Sequence, residues 1–307
     1  MEQTIRKKRH YTSGDIIFNI INYTVFTLIT LSCIYPFYYM FINTISSNQM
    51  SANGQINWYP QQIHWKNYID VFQLSGLPQA FLISVLRTVI GTVTNVLASA
   101  FLGFMFTQKK MWKRTFWYRF VVITMYFNAG LVPLFLVAYN LHLTNNFWIY
   151  ILPMVVQPFN IILVKTYVES IPASLQEAAE IDGAGIVCIF TKIILPVCSP
   201  ILATIAIFSA VNQWNSFQDT LIYITDSRLY SLQYLLYTYI NASTSIATLI
   251  KNNPNLSGAA IANLATQQTP TSVRMTVSII VIIPILLVYP WFQRYFVKGI
   301  MIGSVKG

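Results

Sequence analysis

Long apolar runs alternate with short polar segments along the whole chain. Six runs reach spanning length: residues 15–42, 79–107, 120–139, 147–167, 197–217 and 272–292. About 20 apolar residues in helical form cross the hydrocarbon core of a bilayer. The pattern therefore predicts an all-α, polytopic membrane protein with six transmembrane helices. Residues 1–14 form a polar tail, 15–295 the membrane body and 296–307 a second tail. Pro36 is expected to kink the first span, near a belt of Tyr35, Tyr38 and Tyr39. Span three carries Asn128, Gly130 and Pro133. Span four carries Pro153, Gln157, Pro158 and Asn160. Prolines and amides inside a span break regular hydrogen bonding where neighbouring protein or water compensates, and they either line a path or join helices.

Three of the segments between the apolar runs are long. Residues 43–78 form a loop of low charge with Trp58, Tyr59 and Trp65, which lie on the membrane surface or pack on a neighbour. Residues 219–270 are rich in Asn, Ser and Thr, with an external helix expected at Leu229–Ile240. The other long polar stretch is cytoplasmic on the charge argument below. It runs from Glu169 to Pro200 and holds four of the nine acidic residues: Glu169, Glu177, Glu180 and Asp182. Ser174, with Glu177 three residues on, reads as a capping box opening a short helix. Gly183 and Gly185 then break it. A second helical run, Ile186–Leu195, is expected to stop at Pro196. The local reading is helix, tight turn, helix at the membrane surface. Local chemistry alone leaves open a plain solvated connector.

Composition agrees with the membrane assignment. The 307 residues are 55% hydrophobic and 9% charged, against about a quarter charged in a soluble domain. The net charge of +10 does not point to nucleic acid, because the basic residues sit in short clusters beside apolar runs. With both termini inside, fourteen of the nineteen lysines and arginines fall in four short cytoplasmic segments. That asymmetry supports an even number of spans and places the Glu169–Pro200 loop in the cytoplasm. The first apolar run is long enough to span and no small-residue cleavage site follows it, so it is not read as a cleaved leader. Cys33, Cys188 and Cys198 are too scattered for a disulfide framework, and with His10, His64 and His142 they suggest no metal site.

Arg87 lies inside span two. A buried arginine is costly, so it must snorkel, face a watery cavity or meet a partner, and anchoring is favoured over substrate contact. No carboxylate falls deep in a span, which argues against a proton-driven carrier but not against sodium coupling through carbonyls. No Gly-x-x-x-x-Gly-Lys-Ser/Thr loop occurs, so ATP is not bound by that route. No nucleophile, carboxylate pair or ligand cluster suggests an enzyme. A transporter without its own energy source must borrow one, and a cytoplasmic helix–turn–helix is a suitable lever.

Glu177-Ala178-Ala179, Gly183 and Ile193-x-Leu195-Pro196 follow the spacing of the EAA loop of binding-protein-dependent ABC importers. From about Tyr35 onward the chain resembles their carbohydrate-type permeases, including the second permease of the maltose system and those of complex-oligosaccharide importers. Leu86-Arg87-Thr88, Phe127-Asn128-Ala129-Gly130-Leu131, Ser170-Ile171-Pro172, Ile181-Asp182-Gly183-Ala184, Trp214-Asn215 and Tyr295-Phe296-Val297-Lys298-Gly299 carry the likeness. Ala129 stands where a second glycine is common.

The resemblance implies a type I importer permease fold with cytoplasmic EAA coupling helices, in a bacterial plasma membrane. It implies a pore shared with a second, different permease, and two cytoplasmic ATPase subunits that bind ATP and Mg, this chain holding no cofactor. An extracellular solute-binding lipoprotein would deliver an oligosaccharide. Glu177 would contact the ATPase, Ala178 and Ala179 would be the small packing surface, Gly183 the turn, and Asp182 a support for it or a partner of a basic ATPase residue. Asn128, Asn160, Asn212, Trp214 and Asn215 are candidates for the substrate path, since aromatic rings stack on sugar CH faces and amides bond hydroxyls. Trp214 reads equally as an interfacial belt residue. An ABC permease for a non-sugar solute and a stand-alone carrier or channel are the competing functions.

Overall fold

A computed structural model describes residues 12–73, 76–241 and 270–299. The described residues are helical, with no strand among them, and the chain divides into two units.

The first unit comprises residues 1–69 and 253–279. Its main element is the helix Ser13–Thr44. Thr12 and Asp15 form a reciprocal capping box: the Asp15 backbone N–H donates to Thr12 Oγ1 and the Thr12 N–H to Asp15 Oδ2, so two orphan donors are satisfied. Pro36 lies within the helix without ending it. Its apolar side chains are exposed from Ile16 to Tyr38, Tyr39 and Met40 are half-buried, and Ile42, Asn43 and Thr44 are buried. The loop that follows folds back on that end. Ser51 Oγ donates to Asn43 Oδ1 at 2.7 Å and Asn67 Nδ2 to the Thr44 carbonyl at 2.8 Å. Trp58 packs its ring on Tyr35, with centroids 5.2 Å apart. Short helices form at Asn48–Ala52 and Lys66–Phe72.

The second unit comprises residues 70–252 and 280–307 and is built on the helix Leu77–Met105. One stripe of it is buried: Ser84, Arg87, Gly91, Asn95, Ser99 and Gly103, three or four residues apart. Small residues let helix backbones approach. Here they receive the helices Ser199–Asn215 and Pro158–Glu169. A Cβ at Gly91 would stand 2.6 Å from Gln213 Nε2, and one at Gly103 2.7 Å from Val164 Cβ. Glycine is what permits both contacts.

Three of the expected spans are broken. Span three is two helices, Arg114–Tyr126 and Leu131–Asn140, at 119°. The break is at Phe127–Gly130, where Gly130 has φ 83°. Pro133, in the first turn of the second helix, is well tolerated there. Span four is a pair of 3₁₀ turns over Phe147–Met154 followed by Pro158–Glu169, at 44°. Asn95 Nδ2 donates to the carbonyls of Met154 (2.8 Å) and Val155 (3.1 Å), which the break leaves without helical donors. Span five does not begin after a stop at Pro196. The helix Ile186–Val197 runs through Pro196 by way of a π turn at Phe190–Ile194, and the bend of 79° comes at Cys198. The π turn shifts the hydrogen-bond register by one residue, and the N–H that proline lacks falls where the register changes.

Among the described residues only Ser13–Thr44 and Leu77–Met105 are each long and apolar enough to cross a bilayer alone; each bent pair does so if taken as one span. The expected sixth span is the helix Pro270–Gly299, which contains Pro284 and Pro290. The expected external helix begins after a 3₁₀ turn at Ser227–Leu229 and is described over 232–241. Asp226 caps that turn, and hydrogen bonds from Arg228 hold its carboxyl below the usual range.

Candidate functional site

Two places in the second unit carry the candidate residues. The first is the turn after span four. Its helix covers Ser174–Ile181, but Ser174 does not cap it. Ala173, following Pro172, is already helical (φ −59°, ψ −28°), and its carbonyl accepts from the N–H of Gln176 and Glu177 at 3.0 Å. The helix thus starts one residue early, and the expected capping box with Glu177 is not formed. Glu177 stands in the first turn, where a carboxylate favours the positive end of the helix dipole.

The far end is closed by backbone alone. The Gly183 N–H donates to the Glu180 carbonyl at 3.1 Å and the Ala184 N–H to the Ala179 carbonyl at 2.9 Å. This bond pair is a Schellman motif, which needs a left-handed residue at its centre. Gly183 supplies it with φ 77°.

One face of this short helix is buried and the other is free. Ala179 packs in a core with Phe104, Val164, Val168, Ile189 and Ile194. Glu177, Ala178, Asp182 and Gly183 are exposed, flanked by Ile181 (86% exposed) and Val187 (67%). Gln108 donates to Gln176 at 3.2 Å and Lys110 pairs with Glu180 at 2.9 Å, tying the helix to the loop after span two. The sequence did not disclose these ties, because their partners are 68 and 70 residues apart.

The second place is a polar cavity of about 280 Å³ between Leu77–Met105, Ser199–Asn215 and the broken span four. Asn160 and Asn212 both line it, with Gln157, Phe159, Phe208 and Ser209. Arg87, Gln213 and Ser216 form part of its wall. Arg87 is 1% exposed and meets a partner, as its position required: it pairs with Asp219 and lies 4.3 Å from the Tyr150 ring centroid.

The other three candidates do not join this cavity. Trp214 donates its indole N–H to the Val281 carbonyl at 3.0 Å and lines a separate, apolar cavity of about 240 Å³. Asn215 is exposed at the end of its helix. Asn128 sits in the elbow of span three, where its Oδ1 accepts from the Gly130 N–H. Gln157, read from the sequence as lining a path or joining helices, lines the cavity. Ser209 and Gln213 were not singled out for it, since nothing in the local sequence marks them. Among the described residues no cluster could hold a metal ion.

Residues 95–302, which include the turn after span four and all of the cavity lining but Arg87, match the family model of the binding-protein-dependent transport system inner membrane component. The chain belongs to this family. It is therefore a membrane component of a binding-protein-dependent transport system. The permease is 31% identical to the polygalacturonan/rhamnogalacturonan transport system permease protein YtcP of Bacillus subtilis (strain 168), over 95% of this chain and 99% of that protein. It is 28% identical to the arabinooligosaccharides transport system permease protein AraQ of Halalkalibacterium halodurans, over 92% of this chain and 94% of that one. Among solved structures it is similar to a chain of a bacterial ABC transporter involved in the import of the acidic polysaccharide alginate. That match has TM-score 0.81 and 28% identity, covering 94% of this chain and all of that one.

Proposed function

We propose that this chain is the permease subunit of an ATP-driven importer of oligosaccharides, acting with a second, different permease that supplies the other half of the pore. Two cytoplasmic ATPase subunits, holding ATP and Mg, drive it, and an extracellular solute-binding lipoprotein delivers the sugar. The chain crosses the membrane six times with both termini and residues 169–196 in the cytoplasm, and residues 219–270 outside. The basic-residue asymmetry supports that topology, as do two unbroken helices and three bent pairs, which make five spans, with Pro270–Gly299 taken as the sixth. Sugar cargo is supported by relatives named for glycan transport that match over nearly the full length.

The observation that carries the reading is the two-faced helix Ser174–Ile181. Its Ala179 face is fixed in the permease core and its Glu177–Ala178 face is exposed, so a partner seated on it moves the spans as a rigid body. Glu177, Ala178, Asp182 and Gly183 form the seat. The energy comes from ATP-bound and ATP-free partner states that favour different arrangements of the spans. The test is gentle purification through a tag on this chain, followed by reconstitution. One copy of this chain, one other permease and two ATPase subunits, importing labelled oligosaccharide only with ATP and the binding protein, is the expected result. A lone chain or homo-oligomer that still transports would overturn it.

A further inference from the structure

The geometry points to a neutral, hydroxyl-bearing sugar unit, not a uronate, as the occupant of the polar cavity. This rests on the oligosaccharide reading and narrows it. Arg87 is the cation at the cavity wall, and its guanidinium has five N–H donors. All are engaged. Nε and Nη2 donate to Gln213 Oε1 at 3.2 and 3.0 Å. Nη1 donates to the Ser216 carbonyl at 3.3 Å and to Asp219 Oδ1 at 3.1 Å, and Nη2 also donates to Asp219 Oδ2.

The surrounding groups hold that arrangement. Gln213 Nε2 donates to the Tyr150 carbonyl at 3.0 Å, and the Tyr150 hydroxyl donates to the Leu229 carbonyl at 2.7 Å. Arg87 is thus neutralised by Asp219 and saturated, with no donor for an incoming carboxylate. A charge moved into such a place without a counter-charge loses its hydration uncompensated.

The rest of the lining is neutral. Gln157, Asn160, Ser209 and Asn212 offer amide and hydroxyl groups between Phe159 and Phe208. Among the described residues the side chains of Ser209 and Asn212 make no hydrogen bond, so both retain their full capacity. Amides paired with hydroxyls and rings laid on CH faces suit an uncharged sugar ring. The volume on this chain's side is enough for one such unit. The matched structure and the YtcP relative are both named for acidic glycans, so a neutral occupant would set this chain apart from them.

The experiment is uptake into proteoliposomes holding the whole transporter and its binding protein, with size-matched neutral arabino-oligosaccharide and oligogalacturonate as labelled probes. The neutral probe should enter faster by about tenfold or more, the scale of an uncompensated charge contact. Asn212→Lys, which adds an unpaired cation without touching the Arg87 contacts, should move that ratio about tenfold toward the uronate. Asn212→Asp should move it the other way. Oligogalacturonate entering wild type as fast as the neutral probe would overturn the inference and leave the oligosaccharide reading standing. So would a ratio unchanged in both variants. Import of a non-sugar solute delivered by the same binding protein, with neither probe entering, would remove the oligosaccharide reading and the inference with it.

Discussion

Phe190 stacks on Phe104 with ring centroids 5.4 Å apart, at the first residue of the π turn that follows the exposed Ser174–Ile181 segment. Phe101 meets the same ring edge-on at 5.6 Å. A π turn within a helix often marks a functional site. Here it sets one aromatic side chain from the proposed lever against two on the helix that carries Arg87. Motion of such a lever would have a packed route into the second unit that does not depend on the bend at Cys198.

Phe190→Ala removes both ring contacts, each worth about 0.5–1.5 kcal/mol beyond area burial. The protein should still insert. Uptake per ATP hydrolysed should fall several-fold while ATPase activity is largely kept. Phe190→Leu, which keeps bulk without the ring, should recover part of it. An unchanged uptake-to-hydrolysis ratio in Phe190→Ala would show that the route is not used.

Gly183 is held by backbone conformation and not by crowding. Nothing lies within 4 Å of where its Cβ would be, yet φ is 77°. A side chain there costs about 1–2 kcal/mol and strains the Schellman closure. Gly183→Trp adds bulk on the exposed face as well, and should abolish uptake while insertion persists. Gly183→Asn, the residue that best tolerates a left-handed turn, should transport near the wild-type rate. Normal uptake by well-expressed Gly183→Trp would remove this turn from the coupling argument.

Arg87 and Asp219 should show the asymmetry of a buried pair. Arg87→Met leaves a carboxylate without its counter-charge, a loss of about 3–5 kcal/mol in such sites. Arg87→Met with Asp219→Leu removes both charges and should recover much of the thermal stability of the detergent-solubilised protein. The two residues are 132 positions apart, so a strong non-additive coupling is a direct check of the fold. Additive effects would contradict the contact.

The parts of this architecture that could be read from the chain are those set by local chemistry. Apolar run lengths located the helices, and Gly183 announced its turn. The elbows were not legible, because what stabilises them comes from elsewhere. The break after Met154 is supported by Asn95, 59 residues earlier, and nothing around Pro153 names that partner. Arg87 declared a need for a counter-charge without indicating Asp219. Ser174 misled for a local reason: Ala173, next to Pro172, was free to enter the helix first. Asn160 and Asn212 meet at one cavity, whereas Trp214, the more conspicuous residue, turns to the Val281 carbonyl.

The two crowded glycines of the Leu77–Met105 helix give a graded prediction. A Cβ at Gly103 would press on Val164 Cβ at 2.7 Å and on the Lys165 backbone N at 3.1 Å, neither of which can rotate away. At Gly91 the obstacle is the Gln213 side chain, itself clamped by Arg87 and the Tyr150 carbonyl. Overpacking costs typically about 1–3 kcal/mol. Gly103→Ala should therefore lower thermal stability in detergent, and Val164→Ala in the same chain should restore part of it by clearing the γ-methyl groups. Gly91→Ala should be relieved instead by Gln213→Ala only at the expense of Arg87's contacts, so that double variant should remain destabilised. Rescue at Gly103 without rescue at Gly91 distinguishes a simple packing contact from one that also supports a buried charge. Equal rescue at both would mean that Gln213 does not hold the guanidinium.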